Sequence, residues 1–580
     1  MLFQDRAALV RTVLTMTASS LLSLLWGHAV AAVVRDAFDL DEPIVAVPLT
    51  LAAVLAGLTG GIAARHSTRS AALVALATGG VTVLVTSIAV PGAPLAMASV
   101  LLVAPVAAAV GRWLQCRVPE TWVRQLAAPW SVGALGLGAV VTVVQFARLA
   151  AHVADPSVAF VLSTADPFWA EHECLPAYVH AAELAGRGDP NVWDAAHYPG
   201  IDPTAEPHTA LTGMVVEDPY QYTPQFLLLP YLALSLTDAY PTIRRVWFAL
   251  QVTIFLGTAL GLLGGLPRRH AAMGLLALPF ALTGFATLWN FQYGQVHLLA
   301  IALATAAMLA FDEERDTAGG ALLAFAILAK LFPAILLVPL VAMGRYRALG
   351  WTLGFVAAAS VATLAVFGGA PFEAFVTYHL PRLQSGEAVA FWKAWPEAVT
   401  LILSANQGPF GIVLKLGALG VPGMGSATAA AVSTAFVGGV GIASYFVGRR
   451  MIRASAEAIL TSTLGLLGLA SLASPGAFGD YVPAAGIWLL TLAAGRLAAL
   501  SRPQQLGVGV IALSQYTVFG AAPLGSWSGT PLLAASLGTA VGLLAVFAWP
   551  VFAILRREGH PSLRDPRSGH VVPAAVTPHG

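Results

Sequence analysis

Apolar runs of membrane-spanning length recur along nearly the whole chain, and no other feature limits the fold as severely. About 20 apolar residues in a helix cross the roughly 30 Å hydrocarbon core of a bilayer. Within that core the chain must satisfy its own backbone donors and acceptors, which leaves helices and closed barrels as spanning structures. A barrel reads as short alternating segments, whereas these runs are continuous. The 580 residues are 57% hydrophobic and 10% charged, too little charge to cover a soluble particle of this size. The expected fold is an all-α polytopic membrane protein. The net charge of +1 names no partner, and no basic patch points to nucleic acid.

Lysine and arginine collect in cytoplasmic loops, so Arg6 and Arg11 place the N-terminus inside. The first apolar run is long and lacks a small-residue cleavage site, so it is expected to remain as a helix. Runs at 12–34, 45–64, 71–91 and 95–111 form a four-helix module over 1–127, with Arg65, Arg69, Arg112, Arg117 and Arg124 in its inner loops. A fifth span, 128–150, exits. Cys116 and Cys174 then fall on opposite faces, and no disulfide is expected.

Residues 151–222 differ from the rest. They are polar and carry eleven of the 29 acids, against one basic residue besides histidines, Arg187. A loop of this length is usually functional or disordered. "LPAYVHAAELAGRG" within it has helical spacing and a glycine stop, which predicts a folded loop. "YTPQFLLLPYLALSL" is interrupted by Pro224 and Pro230 and is expected to lie along the outer interface, so that the loop and interfacial helix occupy 151–245. The chain then passes inward over 246–266, out over 271–288 and in over 296–311.

"GGALLAFAILAKLFPAILLVPLVAMGRYR" (319–347) carries Lys330 near its middle. A charge at the bilayer centre costs at least about 2.5–3.5 kcal/mol. "DEERD" before it and "GRYR" after it must both be cytoplasmic, which one straight helix forbids. Two short helices meeting at Lys330–Pro333 satisfy both, since proline removes a donor and clashes with the preceding turn. Each half, about 12–13 residues or roughly 19 Å, is too short to span, so the junction must lie in protein or a wet cavity. A span at 349–367, a second outer segment over 368–425, and spans near 426–447, 456–472, 481–495, 505–522 and 530–555 complete the reading, followed by a disordered cytoplasmic tail, 556–580.

This order of features resembles the GT-C superfamily of glycosyltransferases, which use polyprenyl-phosphate sugars. "NFQYGQVHLL", "GGALLAFAILAKLFPAILLVPL" and "RYRALG" closely resemble glycosyltransferase family 87, which includes mannosyltransferases with polyprenol-phosphate-mannose donors. "AYVHAAELAGRGDPNVWD" is similar to the family's first-loop pattern. "QYTPQFLLLP" is similar to its Tyr-Pro-Pro segment, with Thr223 in place of the first proline, and "ANQGPFGI" resembles a later Asn-Gln element. The resemblance covers about 128–500 and implies a GT-C-like bundle over 128–555, with a folded first extracytoplasmic loop and short broken helices. It also implies a plasma-membrane enzyme with both termini cytoplasmic and its site on the extracytoplasmic face. The partners it implies are a polyprenyl-phosphate sugar, a glycolipid or glycan acceptor, and membrane lipids.

Inverting transfer of a sugar to a hydroxyl needs a carboxylate to take the proton and a cation for the leaving phosphate. The resemblance implies a base early in the first loop, hence Glu173, then Asp166, then Glu171. The family's usual acid lies closer to the tyrosine, where this chain has Cys174. Lys330 suits the donor phosphate as a point charge. Asn290 and Gln295 suit sugar hydroxyls or phosphate, with helix capping as the alternative. Arg244 and Arg245 suit a phosphate clamp or an interfacial anchor. Tyr178, Trp193 and Trp392 could stack on sugar rings, while His297 and Asp480 read more simply as satisfied or solvated groups. An acid-rich loop could hold Mg²⁺ or Mn²⁺, but no tight ligand motif appears. The rival reading is a transporter or lipid flippase, which would show a second broken segment in an inverted half.

Overall fold

The computed structural model describes residues 6–37, 46–63, 103, 106–108, 129–155, 172–199, 202, 216–264, 266, 268–390, 399–479, 482–494, 496–497, 500–516 and 529–556. The expected span at 71–91, most of that at 95–111 and the tail beyond 556 lie outside these residues, as do Asp166, Glu171, Trp392 and Asp480.

The described chain is helical apart from a two-residue parallel strand pair and one isolated bridge between Asn406 and Phe478. Helices α1 (Arg6–Ala37) and α2 (Ala46–Ala63) pack together, and α1 also packs on α3 (Pro129–Ala154). Strand β1 (His172–Glu173) opens the loop, α4 (Leu175–Gly186) follows, and β2 (Val216–Glu217) closes it. A 3-10 turn at Pro224–Leu227 leads into α5 (Leu228–Leu236), then α6 (Tyr240–Gly264), α7 (Arg268–Leu282) and α8 (Phe285–Gln292). Next come α9 (His297–Asp312), α10 (Asp316–Ala329), α11 (Leu337–Ala342) and α12 (Tyr346–Phe367). The second loop segment contains α13 (Ala370–Ala374), α14 (Leu380–Ser385), α15 (Val399–Ala405) and α16 (Pro409–Ala418). The last helices are α17 (Ser426–Met451), α18 (Ala456–Leu472), α19 (Ala484–Ala494), α20 (Arg502–Tyr516) and α21 (Gly529–Leu555).

Among the described residues, six helices are long and apolar enough to cross a bilayer: α1, α3, α6, α12, α17 and α21. Helices α7 and α8 make a seventh span if taken together, bent by 59° at their break. The all-α polytopic expectation therefore holds. One apolar core runs through the bundle from Leu24 in α1, past Phe255 and Trp488, to Phe547 in α21.

The segment around Lys330 is broken as its sequence demands. Helix α10 ends at Ala329, Lys330 is extended (φ −149°, ψ 134°), and Pro333 sits in the first turn of a 3-10 stretch, Phe332–Leu336, that leads into α11. The outer ends of this hairpin meet. Arg347 Nε lies 3.5 Å from Asp316 Oδ2, and a Cβ on Gly320 would stand 2.6 Å from Trp351 Cβ. The stretches "DEERD" and "GRYR" thus share one end of the bundle, with Lys330 at the other end of α10.

The first loop is folded in its described part. Pro176 in the first turn starts α4, and Gly188 (φ +83°) terminates it, its N–H bonded to the Ala185 carbonyl, as a left-handed glycine stop should. An aromatic cluster of Tyr178, Trp193, Tyr198, Tyr220, Tyr222 and Phe226 gives the loop a core of its own. The second segment folds onto the first. Gln221 Nε2 donates to the Ala388 carbonyl at 2.5 Å, and Trp193 stacks on His379 with ring centroids 5.6 Å apart.

Candidate functional site

The site is built at the break of the Lys330 hairpin, where the loop's aromatic core meets the turn between α8 and α9. That turn is fixed by Gly294. Its φ is +62°, and a Cβ there would stand 2.6 Å from Leu175 Cβ and 3.3 Å from Trp247 Cδ1, so glycine is required. The turn's carbonyls anchor two elements, α4 and α6. Tyr293 O accepts from the N–H groups of Cys174 (2.9 Å) and Leu175 (3.0 Å), at the start of α4. Gly294 O accepts from Trp247 Nε1 at 2.8 Å, and Gln295 O from Gln251 Nε2 at 3.0 Å. Gln295 is thereby delivered to a defined place beside Cys174.

A cavity of about 410 Å³ opens there, within the size range of small-molecule sites. Its polar wall contains Asp218, Tyr222, Gln295, His297 and Lys330, and its apolar wall contains Leu331, Ile335, Val437, Val440 and Ala470. Leu331 and Val437 are about half exposed, so the apolar wall continues to the outside of the bundle. Lys330 Nζ stands 4.4 Å above the centre of the Tyr222 ring, a cation–π arrangement that holds the ammonium at the polar wall. The His297 ring stacks on Phe332 at 4.5 Å.

A directed series of hydrogen bonds lines this wall. The Val296 N–H donates to Tyr178 Oη at 3.3 Å, and the Tyr178 and Tyr222 hydroxyls are 2.6 Å apart. Tyr222 Oη donates to Gln295 Oε1 at 2.8 Å, with Tyr178 Oη a longer 3.3 Å from the same oxygen. A phenol has one proton to give; Tyr222 spends its own on Gln295, so Tyr178 donates to Tyr222. Gln295 Nε2 then donates to Cys174 Sγ at 3.2 Å, and the thiol donates to Asp218 Oδ2 at 3.1 Å. Burial pushes both phenols well above their ordinary range, so they stay neutral donors.

The sequence-ranked residues divide between this wall and the scaffold behind it. Lys330, Gln295 and Tyr178 line the cavity. Glu173, Arg244, Arg245 and Asn290 are not among its lining residues. Glu173 is buried, its carboxylate bonded by Arg244 Nη2 and by the Tyr240 hydroxyl, the latter at 3.1 Å. Burial pushes that carboxyl up, while the Arg244 guanidinium and the two hydrogen bonds pull it down. The clamp residues serve the C-terminal end of α3. Arg244 Nη1 donates to the carbonyls of His152 and Val153 at 3.3 Å each, and Arg245 Nη2 to that of Ala154 at 2.6 Å. These carbonyls have no intrahelical partner and lie at the negative pole of the helix, where cations are favoured. Asn290 Nδ2 donates to the Ala286 carbonyl at 2.7 Å, within α8. Trp193 is buried and donates Nε1 to the Tyr222 carbonyl at 3.2 Å.

In the sequence Asp218 is one acid among the eleven of this loop, with no motif to single it out. The strand pair is what brings it to the cavity. Glu173 pairs with Glu217 in parallel register, and the Asp218 N–H donates to the Glu173 carbonyl at 3.2 Å. The residues that follow, Cys174 and Asp218, therefore sit side by side although 44 positions apart. A two-residue strand leaves no periodicity to read. Among the described residues no group of three His, Cys, Asp or Glu side chains gathers as metal ligands. A second cavity, about 440 Å³ among α18 to α21, is mostly apolar, and its Glu457 and Arg496 are bonded to each other.

Comparison with known proteins bears on this site. No curated protein and no solved structure matches the chain. Residues 220–475 match the model of glycosyltransferase family 87, a stretch that includes Tyr222, Gln295 and Lys330 and begins two residues after Asp218. Over that stretch, which builds most of both cavity walls, the chain is similar to the membrane glycosyltransferases of family 87.

Proposed function

We propose that the protein transfers a hexose, mannose being the first candidate, from a polyprenyl-phosphate donor to a glycolipid or glycan acceptor. Transfer takes place on the extracytoplasmic face of the plasma membrane, with inversion at the anomeric carbon. The observation that carries this reading is the two-sided cavity: Lys330 and Gln295 on one wall, and on the other an apolar wall of Leu331, Val437 and Val440, of which Leu331 and Val437 are half exposed. A lipid-linked phosphate sugar has the same two sides. Its isoprenoid chain suits the apolar wall that reaches the bundle exterior, and its phosphate suits the ammonium of Lys330. Gln295, Tyr222 and Tyr178 supply neutral donors and acceptors for sugar hydroxyls.

The chemistry follows from that placement. The acceptor hydroxyl attacks the anomeric carbon, a carboxylate of the first loop takes its proton, and the bond to the phosphate oxygen breaks. The leaving lipid phosphate gains charge, which Lys330 offsets in a largely dehydrated site. The hairpin makes this possible because it ends both half-helices at the site and exposes an ammonium that a continuous helix would turn to lipid.

The test is purified protein in lipid nanodiscs with radiolabelled polyprenyl-phosphate mannose and an alkyl mannoside acceptor. Label appearing in the acceptor supports the reading. Flux of the labelled lipid across vesicles without transfer to any acceptor would overturn it in favour of a transporter.

A further inference from the structure

The carboxylate that the sequence favours as base, Glu173, is bonded to Arg244 and Tyr240 outside the cavity. Among the described residues the carboxylate that lines the cavity, on the same wall as Lys330, is Asp218. We propose that Asp218 is the general base of the transfer, carried into the site from the far end of the loop by the β1–β2 pair, and that Cys174 is its positioning residue. This rests on the glycosyl-transfer reading above and names the group that reading leaves open.

Three observations converge on Asp218. Its backbone is fixed by the N–H bond to Glu173 O at 3.2 Å. Its side chain is oriented by the thiol of Cys174 at 3.1 Å. The thiol is in turn the end of the donor series that starts at the Val296 N–H and runs through Tyr178, Tyr222 and Gln295. Every donor in the series points toward the carboxylate, so each bond polarises the next and the thiol proton is held on the Asp218 oxygen. In the step itself, the acceptor oxygen forms a bond to the anomeric carbon as its proton passes to the Asp218 carboxylate. The electron pair of the broken C–O bond leaves on the lipid phosphate beside Lys330. Asp218 then returns its proton to water at the open side of the cavity.

The test uses the full chain in nanodiscs, short-chain polyprenyl-phosphate mannose as donor and octyl mannoside as acceptor. Asp218→Asn is expected to lower kcat by about 10²–10⁴-fold with the donor KM within a few-fold of the parent, and Asp218→Glu to recover part of the loss. Cys174→Ala removes a donor from the carboxylate, so it is expected to shift the acid limb of the kcat profile to higher pH while leaving the donor KM unchanged; a merely structural thiol would not move that limb. Asp218→Asn protein with kcat within about threefold of the parent overturns the assignment and leaves the transfer reading standing. Should Asp218→Asn not fold, the Cys174→Ala profile decides, and an unmoved acid limb overturns the proposal. A parent protein that transfers nothing from this donor sinks the transfer reading itself, and the base assignment with it.

Discussion

Arg347 Nε lies 3.5 Å from Asp316 Oδ2, joining the first turn of α12 to the first turn of α10. The arginine is exposed, so the pair contributes little to stability. Its value is topological, because it sets both ends of the Lys330 hairpin at one end of the bundle. Single cysteines at Glu314 and Tyr346, in a chain lacking its own two, are therefore expected to react with an impermeant maleimide from the same side of intact vesicles. A cysteine at the exposed Arg187 of the first loop is expected to react from the opposite side. Labelling of the 314 and 346 positions from different sides would dissolve the hairpin.

Lys330 combines a charge, a fixed place above the Tyr222 ring and a position on the cavity wall. Hydrogen bonds to charged groups are worth about 1.5–3 kcal/mol, and 1.4 kcal/mol is a factor of ten. Lys330→Gln is thus expected to reduce kcat/KM for a polyprenyl-phosphate donor by about 10–150-fold, with Lys330→Arg closer to the parent. The measurement is initial rate against donor concentration. A Lys330→Gln protein as active as the parent would remove the phosphate from this wall.

The Glu173–Arg244 pair is buried on both sides, at 1% and 5% side-chain exposure. Removing one partner of such a pair leaves a buried charge and costs about 3–5 kcal/mol. Glu173→Gln and Arg244→Met are each expected to lower the thermal midpoint in detergent sharply, and the double variant to be less destabilised than the sum of the two. The loss of activity in either single variant should track the loss of folded protein. A stable, folded and inactive Glu173→Gln would instead return the base to that carboxylate.

Much of this architecture was legible because the bilayer imposes strong rules. The break at Lys330–Pro333 followed from the charges of two loops, and the glycine stop of α4 from a helical pattern ending in "GRG". Lys330 and Gln295 were found because each is a polar group where apolar residues are expected, and both line the cavity. Arg244 and Arg245 share that anomaly, but in the structure they serve a buried helix end and the buried Glu173 carboxylate. Sequence spacing cannot separate the two uses, because both need a charge near the same boundary. Asp218 was hidden for the opposite reason: it sat in an acid-rich loop where a carboxylate is ordinary, and only a pairing across 44 residues distinguishes it.

Lys415 provides a separate test of the packing around the second loop segment. It lies in the ten-residue α16, outside the spanning helices, and is fully buried. Phe410 and Val413 of the same helix pack with Ala429 of α17 in an apolar cluster. Among the described residues its Nζ has no hydrogen-bond partner, and burial pushes the ammonium down to about 7. In an unfolded chain a lysine titrates at about 10.4. Between these values the unfolded chain binds more protons than the folded one, so stability rises with pH across that window. Below about pH 7 the full penalty of the buried charge is present. Lys415→Met keeps the stem and deletes the charge, and replacing buried ionic groups by apolar ones of similar volume is worth up to about 1–4 kcal/mol. The variant is expected to have a higher thermal midpoint than the parent at pH 7 and a flatter midpoint-against-pH curve between pH 7 and 10. A midpoint that falls on substitution would mean that the ammonium is satisfied and that this region packs around a polar partner.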